Sequence, residues 1–592
     1  MRNKNSVFVS DQYLAKLLLL VFLMAMGCGG IEQTNKGIQS DNELVEIIEY
    51  QKIHIIVPQK QTAIVKNSIA TFSKRIGQRS GAKFVNSKNS ALTITLKLQP
   101  DIGNEGYQII DGNKREIVIN GNDELGLLYG LGKFLHTSEL TTTGLIPSSW
   151  RGKSVPSSEV RGIYIACHFN NFYEAAPIDE VQTYIEDLAF WGVNAVVFNF
   201  PQWQYDSFQD PNARKNINRI RLLMEKGKKA GLKVGLLECE NQGFKTAPKN
   251  TLNTPFPDDL KQRGNLGTSL CASKEPGHGY LIDFWNQMLN EFEDIDIDYL
   301  VFWPYDEGGC GCDQCWPWGA KGHINLAEEL MGMAHERWPK CKSVLSTWMY
   351  DEPDAGEWKG LYQRMTADPK LVDYVMADAH ESFPSYPLEN PIPNKTPLLN
   401  FPEISMWGMR PWGGYGANPL PNRFQTLWNQ VSPVVSGGFP YSEGIYEDIN
   451  KVICSQFYWN SKNSANETVR AYIAAYFSPK VVDSIAKAVE IMEENHERYI
   501  REDFYIDFSD TIKSTQVALD LMKAAEKKLT PQARQSWRWR ILYLRASIDN
   551  LLAKTDNELR GEGLKVAFEE LTKIYHAQNT LKYNITPPKV RR

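Results

Sequence analysis

The sequence predicts an α/β protein: a (β/α)8 TIM barrel with a small N-terminal α+β domain and a C-terminal helical region. Three observations predict it. Eight strand-like segments recur between Val160 and Phe439, mostly with helical segments between them. Acids and aromatic residues gather just after those strands, not after the helices. Before Val160 the strand and helix signals mix with a hairpin, and after the barrel only amphipathic helical spacing remains.

The chain has 592 residues, enough for several domains. It is 42% hydrophobic and 23% charged, with a net charge of −5 spread along its length. That balance is globular, and no basic stripe points to nucleic acid. The N-terminus reads as an export signal. Arg2, Lys4 and Lys16 precede the apolar run Leu17 to Met26, too short for a stable spanning helix. Ala25 and Gly27 stand just before Cys28, an arrangement that resembles the lipobox of bacterial lipoproteins. The expected organisation is a signal peptide over 1–28 with lipidation at Cys28, and a polar tether over 29–42. The α+β domain follows over 43–150, the barrel over 151–455 and the helical region over 456–592. A lipid-anchored protein in the periplasm or on the cell surface is the expectation.

Within 43–150, Lys52–Val57 is a strand, and Lys66–Gly77 puts Ile69, Phe72 and Ile76 on one helical face. Leu92–Leu98 alternates like a half-buried strand, and Asp111-Gly112 joins two strands as a hairpin. The glycine-rich stretch Gly121–Leu135 opens a helix. Its glycines fall on the helix face, where they allow close packing on a sheet, and not in a phosphate-cradling turn.

In the barrel, strands are expected at Val160–Cys167, Asn194–Phe200, Lys233–Leu237, Tyr299–Trp303, Ser343–Thr347, Val372–Ala377, Pro397–Phe401 and Val434–Phe439. Helices are expected at Asp179–Trp191, Asn216–Ala230, Tyr280–Phe292, Ile324–Trp338 and Asn422–Asn429. Catalytic groups of such a barrel sit at the C-terminal ends of its strands. There the sequence offers His168 and Asn171, then Trp203 and Tyr205, then Glu238, Glu240 and Asn241. Asp306 and Glu307 follow the fourth strand, Trp348, Tyr350 and Asp351 the fifth, and Asp378 and His380 the sixth. Glu403, Trp407 and Trp412 follow the seventh, and Tyr441 and Glu443 the eighth. After the barrel, Glu467–Tyr476, Val481–Ile500, Thr511–Lys528 and Pro531–Leu552 have amphipathic spacing.

The stretch from Asp298 to Gly319 concentrates the chemistry. A buried strand breaks at Pro304 and delivers the adjacent carboxylates Asp306 and Glu307, then glycines, three cysteines, Trp316 and Trp318. Carboxylates move protons and stabilise positive charge, and flat aromatic rings stack on sugar faces, so the pattern points to carbohydrate cleavage. No cofactor is implied. Cys310-x-Cys312-x-x-Cys315 suits either a zinc site completed from elsewhere, with His323 the nearest histidine, or a disulfide that fixes the loop. A structural role is expected for it.

Gly106-Tyr-Gln-Ile followed by Ile117-Val-Ile-Asn-Gly-Asn-Asp-Glu-Leu-Gly-Leu-Leu-Tyr-Gly130 resembles the small domain that precedes the barrel in glycoside hydrolase families 20 and 67. The barrel is similar in layout to family 20 β-hexosaminidases, whose fourth strand ends in an Asp-Glu pair. The cysteine cluster after Pro-x-Asp resembles family 163, the endo-acting β-N-acetylglucosaminidases. The resemblance implies that Glu307 is the general acid/base and that Asp306 orients the 2-acetamido group of a substrate that assists its own cleavage. The expected substrate-binding residues are His168, Asn171, Glu240, Trp348, Glu403, Trp407, Tyr441 and Glu443. Two alternatives stand. An inverting α-glucuronidase-like enzyme would pair Glu307 with Glu403 or Glu443 and use a base such as Arg410 for the uronate. A glycan-binding lipoprotein on a decayed barrel would need no Glu307.

Overall fold

The computed structural model describes residues 48–89, 91–168, 171–257, 267–305, 308–350, 356–379, 382–404, 416–495, 514–555, 558–579 and 590. The chain begins with β1 (Lys52–Ile56), α1 (Ala63–Arg79), β2 (Lys83–Phe84), β3 (Leu92–Leu98), β4 (Tyr107–Asp111), β5 (Glu116–Gly121) and α2 (Glu124–Thr137). A short ribbon of β6 (Glu139–Leu140) and β7 (Leu145–Ile146) follows, then β8 (Gly152–Ser154). One sheet has the order β2-β1-β3-β5-β4-β8, with β4 antiparallel to both of its neighbours. The hairpin expected at Asp111-Gly112 joins β4 to β5, and Gly112 N–H donates to Glu116 O at 2.9 Å. Asp123 caps α2, its Oδ1 accepting Gly126 N–H at 2.8 Å. The glycines of α2 permit close approach. A Cβ at Gly126 would come within 2.1 Å of Gly106 O, and one at Gly132 within 2.3 Å of Phe190 O in the barrel.

The barrel strands are β9 (Val160–Ile165), β10 (Ala195–Phe198), β11 (Lys233–Glu238), β12 (Tyr299–Phe302), β13 (Lys342–Ser346), β14 (Tyr374–Ala379), β15 (Leu398–Pro402) and β16 (Val435–Gly438). The short β17 (Tyr441–Ser442) continues the last of them. All pairings are parallel, and β9 bonds β10 on one side and β16 and β17 on the other, so the sheet closes. Each strand lies within two residues of the bounds expected from sequence. Strand alternation sorts the side chains. Tyr299 and Val301 join Val160, Tyr164, Val197, Val344, Met376 and Phe401 inside the barrel, whereas Leu300 and Phe302 face the helices.

Between and after the strands run α3 (Phe172–Ala175), α4 (Ile178–Phe190), α5 (Pro211–Lys229), α6 (Gly277–Glu291), α7 (Gly322–Arg337), α8 (Glu357–Ala367), α9 (Ser385–Glu389), α10 (Pro421–Val431) and α11 (Asp448–Trp459). The tail adds α12 (Ala465–Tyr476), α13 (Val482–Glu494), α14 (Thr515–Glu526), α15 (Pro531–Gln535), α16 (Trp537–Lys554) and α17 (Glu562–Ile574). The helix expected over Pro531–Leu552 is two helices. Ser536 interrupts it, its extended backbone at ψ 140° starting α16 and its Oγ accepting Trp539 N–H at 3.3 Å.

Buried charges join the three parts. Asp187 on α4 accepts from Arg75 Nε of α1 at 2.6 Å and from Arg538 Nη1 of α16 at 2.9 Å. Arg538 Nε also reaches Asp448 of α11 at 2.8 Å. Among the described residues, no helix is long and apolar enough to cross a membrane.

Candidate functional site

The C-terminal ends of the barrel strands carry an aromatic floor. Trp303, which follows β12, is half-buried and packs on the barrel's inner core. Its ring lies 5.1 Å from that of Trp348 at 31°, and 4.8 Å from that of Phe401 at 54°. Tyr164 lies 5.4 Å from Tyr441 and 6.0 Å from Phe401. Trp348 was expected from sequence. Trp303 was not, because it was taken as the last residue of a buried strand. Its inward parity with Tyr299 and Val301 is the signal that marks it.

Glu443, just past β17, follows this floor. Tyr441 O–H donates to Glu443 Oε1 at 2.6 Å, and Tyr446 O–H lies 3.3 Å from Oε2. Burial, with the negative charge of Glu447 behind it, raises the Glu443 pKa to about 7 against the pull of both hydroxyls. The turn carrying Glu443 is fixed from below. Glu447 Oε1 accepts the N–H groups of Glu443 and Gly444, both at 3.0 Å, and Ser442 O–H at 2.7 Å. Lys451, one turn on, pairs with the same oxygen at 3.0 Å, and both partners are fully buried. Sequence reading missed Glu447 and Lys451, although their i,i+4 spacing on a helix was visible. Glu403 is buried and bridges to Tyr441 through the backbone.

His168 follows β9. Its Nδ1 lies 3.3 Å from Tyr164 Oη, Trp203 meets its ring edge-on at 5.9 Å, and its carbonyl accepts Gln204 Nε2 at 2.8 Å. Part of the residue remains accessible, yet the protein packed around the ring disfavours the imidazolium and lowers its pKa. His168 is thus a neutral donor or acceptor at the edge of the floor.

Asp306 and Glu307 lie outside the described residues, as do Trp407, Cys28, Asp351, His380, Arg410 and Trp412. The residues that bracket the acid pair are firmly held. On the N-terminal side, Pro304 O accepts Trp318 Nε1–H at 2.6 Å, and buried Tyr305 donates its O–H to buried Glu357. On the other side, Asn241 Oδ1 accepts Gly309 N–H at 2.9 Å, and its Nδ2 donates to Gly309 O at 3.1 Å. Asn253 Nδ2 donates to the same carbonyl at 2.8 Å. Gly309 has φ +104°, a conformation that favours glycine, and a Cβ at Gly308 would come within 2.4 Å of Cys239 Sγ.

Two expected substrate-binding residues are buried and bonded within the protein. Glu240 is fully buried, and its Oε1 bonds His323 Nδ1. Asn171 is also fully buried. It caps α3 in a reciprocal box with Glu174 and donates Nδ2–H to Ala166 O at 2.7 Å. Both sit after strands and are polar, but packing behind the loop satisfies them. Glu238 likewise turns inward, accepting Phe200 N–H at 2.7 Å and Asn199 Nδ2–H at 3.0 Å, and burial pushes its pKa well up.

The cysteine cluster is joined by a fourth residue from elsewhere in the chain, which is not His323. His323 is not near enough to join it, being held by Glu240 and by Ser346 O at 3.2 Å. Cys271 supplies the fourth sulfur instead, and the ligand atoms of Cys271, Cys310, Cys312 and Cys315 all lie within 4.8 Å of one another. The described cysteines are free thiols, so no disulfide links this loop.

No protein-family model matches the chain, and no curated protein matches it in sequence. Solved structures do. The chain is similar to a family GH115 4-O-methyl-α-glucuronidase with specificity for decorated arabinogalactans, at TM-score 0.57 and 14% identity, over 91% of this chain and 78% of that one. It is similar to a family GH138 enzyme targeting pectin rhamnogalacturonan II, at TM-score 0.54 and 10% identity, over 90% and 95%. It is also similar to a family 89 glycoside hydrolase from Clostridium perfringens in complex with PUGNAc, at TM-score 0.58 and 13% identity, over 86% of this chain and 65% of that one. The likeness therefore takes in the first sheet and the C-terminal helices as well as the barrel, and at such identities what is shared is the fold: a (β/α)8 barrel with an N-terminal α+β domain and a helical tail.

Proposed function

We propose that the protein is a glycoside hydrolase that cleaves a glycan at the C-terminal end of its barrel. The observation that carries this reading is the Trp303–Trp348 aromatic pair at the strand ends, with Trp303 leading directly into the anchored residues Pro304 and Tyr305. The fold shared with glucuronidase and family 89 structures adds support.

In the finer reading, the enzyme is a retaining β-N-acetylhexosaminidase-like hydrolase. Glu307 donates a proton to the leaving-group oxygen while the substrate's own acetamido oxygen attacks the anomeric carbon from the opposite face. Asp306 orients that acetamido group and balances the charge that develops on it. Glu307 then takes a proton from water, which opens the intermediate with overall retention. Trp303, Trp348 and Trp407 form the platform for the sugar, and His168, Glu403, Tyr441 and Glu443 bond its hydroxyls. The acid would act outside the cell, with Cys28 lipidated as the membrane anchor.

A second reading is favoured by one observation. A carboxyl with a pKa near 7, as at Glu443, suits a general acid or base at neutral pH. Paired with Glu307 it would give an inverting glucuronidase-like mechanism, in which one carboxyl protonates the leaving-group oxygen while the other takes a proton from a water that attacks the anomeric carbon from the opposite face. A screen of aryl N-acetylglucosaminides, N-acetylgalactosaminides and glucuronides tests both readings, using wild type, Glu307→Gln and Glu443→Gln. Hydrolysis of hexosaminides lost in Glu307→Gln alone supports the first, and glucuronide hydrolysis lost in both variants supports the second. Glycan binding with no hydrolysis by the wild type would overturn the enzyme assignment.

A further inference from the structure

We propose that Cys271, Cys310, Cys312 and Cys315 bind one zinc ion, which fastens the loop after the fourth barrel strand to the loop after the third. The two loops contribute unequally. Cys310, Cys312 and Cys315 follow directly on the acid pair, whereas Cys271 comes from the segment that leads into α6.

Geometry separates a metal from a disulfide. Cys271 Sγ and Cys312 Sγ lie 3.8 Å apart. Four thiolates at about 2.3 Å around a tetrahedral zinc stand about 3.8 Å from one another. A disulfide brings two sulfurs to about 2.0 Å and leaves no reason for four to converge. All four cysteines are buried, and all four ligand positions are thiols, so the site is closed. Closed thiolate sites are structural, whereas catalytic zinc keeps a position open for water or substrate.

The surroundings are built for anionic sulfur. Thr254 N–H points at Cys310 Sγ at 3.5 Å, and Ser273 Oγ lies 3.1 Å from Cys315 Sγ, placed to donate to a thiolate. Lys274 pairs with Asp313 inside the loop, and Lys321 Nζ donates to Asp313 O at 2.6 Å, so two cations flank a centre of net negative charge. The glycine between Cys310 and Cys312 serves the same end. Gly311 N–H donates to Thr254 O at 2.8 Å, and a Cβ there would come within 2.1 Å of Pro255 O. On metal binding each thiol releases its proton to solvent and gives a lone pair to zinc, with no change of oxidation state. The inference does not depend on the hydrolase reading, since the metal would be present whatever the barrel binds.

The test uses the full chain, purified without chelator. Metal analysis of the wild type is expected to give about one zinc per chain, falling below about a tenth in Cys271→Ser and Cys312→Ser, with Cys341→Ser as the buried-thiol control that keeps it. Exchange of wild-type metal for cobalt(II) keeps the test decisive where a variant fails to fold. The visible and thiolate-to-cobalt bands of a tetrahedral four-sulfur site are expected. A metal-free wild type whose cysteines are oxidised in pairs, zinc retained in Cys271→Ser, or a cobalt spectrum of fewer than four sulfurs would each overturn the proposal.

Discussion

Asn241 grips Gly309 at both of its backbone polar groups, accepting its N–H at 2.9 Å and donating to its carbonyl at 3.1 Å. A side-chain amide is the one group that can mimic a strand neighbour in this way, and here it is fully buried. The loop that leaves the fourth strand is thereby tied to the end of the third.

Asn241→Ala removes both bonds and a third, from its Nδ2 to Leu270 O at 2.8 Å, and leaves the Gly309 carbonyl to Asn253. The expected cost is about 2–4 kcal/mol in urea unfolding, from three lost hydrogen bonds and buried unpaired groups. In protein that remains folded, kcat on the best glycoside is expected to fall by at least about tenfold with a smaller change in KM, since the loop positions and does not bind. An unchanged kcat would remove Asn241 from any role in positioning the acids.

Glu443 titrates near neutrality because it is buried. A carboxyl whose folded pKa lies above its unfolded value stabilises the fold fully at low pH, and that contribution fades as pH rises through the folded pKa. From pH 4.5 to above 7 the wild type is therefore expected to lose up to roughly 3 kcal/mol relative to Glu443→Gln. Paired melting curves at pH 5 and pH 8 measure it, and a difference between the two proteins that is the same at both pH values contradicts the assignment.

The Trp303–Trp348 pair makes a prediction about affinity. Truncating either ring to Ala is expected to weaken glycan binding by about threefold to tenfold, the scale of one aromatic contact. Titration calorimetry on a Glu307→Gln background reads binding without turnover. Trp303 is the more accessible of the two, so its truncation is expected to cost less stability than that of Trp348.

Glu240 and His323 separate packing from recognition. Both are fully buried and bonded to each other. Glu240→Ala leaves His323 without its carboxylate and is expected to cost about 3 kcal/mol or more. Where the variant still folds, its KM is expected to match wild type. A raised KM with normal stability would return Glu240 to the substrate.

The barrel was legible because its strands are short apolar runs bounded by turn residues, and because β alternation fixes which side chains face inward. Helix α8 was missed. Trp358, Leu361 and Met365 carry its buried face, but Gly360 lies against Ala320 and breaks the local signal. Helix α11 was missed because nearly every residue from Asp448 to Trp459 is buried, so its pattern has no polar face to reveal the period. Cys271 could not be assigned to the cluster by spacing, since only the folded chain brings it to Cys312. The burial of Glu240 and Asn171 was hidden for a related reason. A polar residue after a strand looks the same in sequence whether it meets solvent or a buried partner.

The ion pairs on Asp187 bear on how this chain can be dissected. Arg75, Asp187, Asp448 and Arg538 come from the opening helix, the barrel wall and the tail, and all four are buried. A truncation that dropped the last helices would leave buried Asp448 without its guanidinium and Asp187 with Arg75 alone. A piece without the tail is therefore expected to be less stable than the whole described chain, and excising the barrel by itself for expression or engineering is expected to yield aggregate.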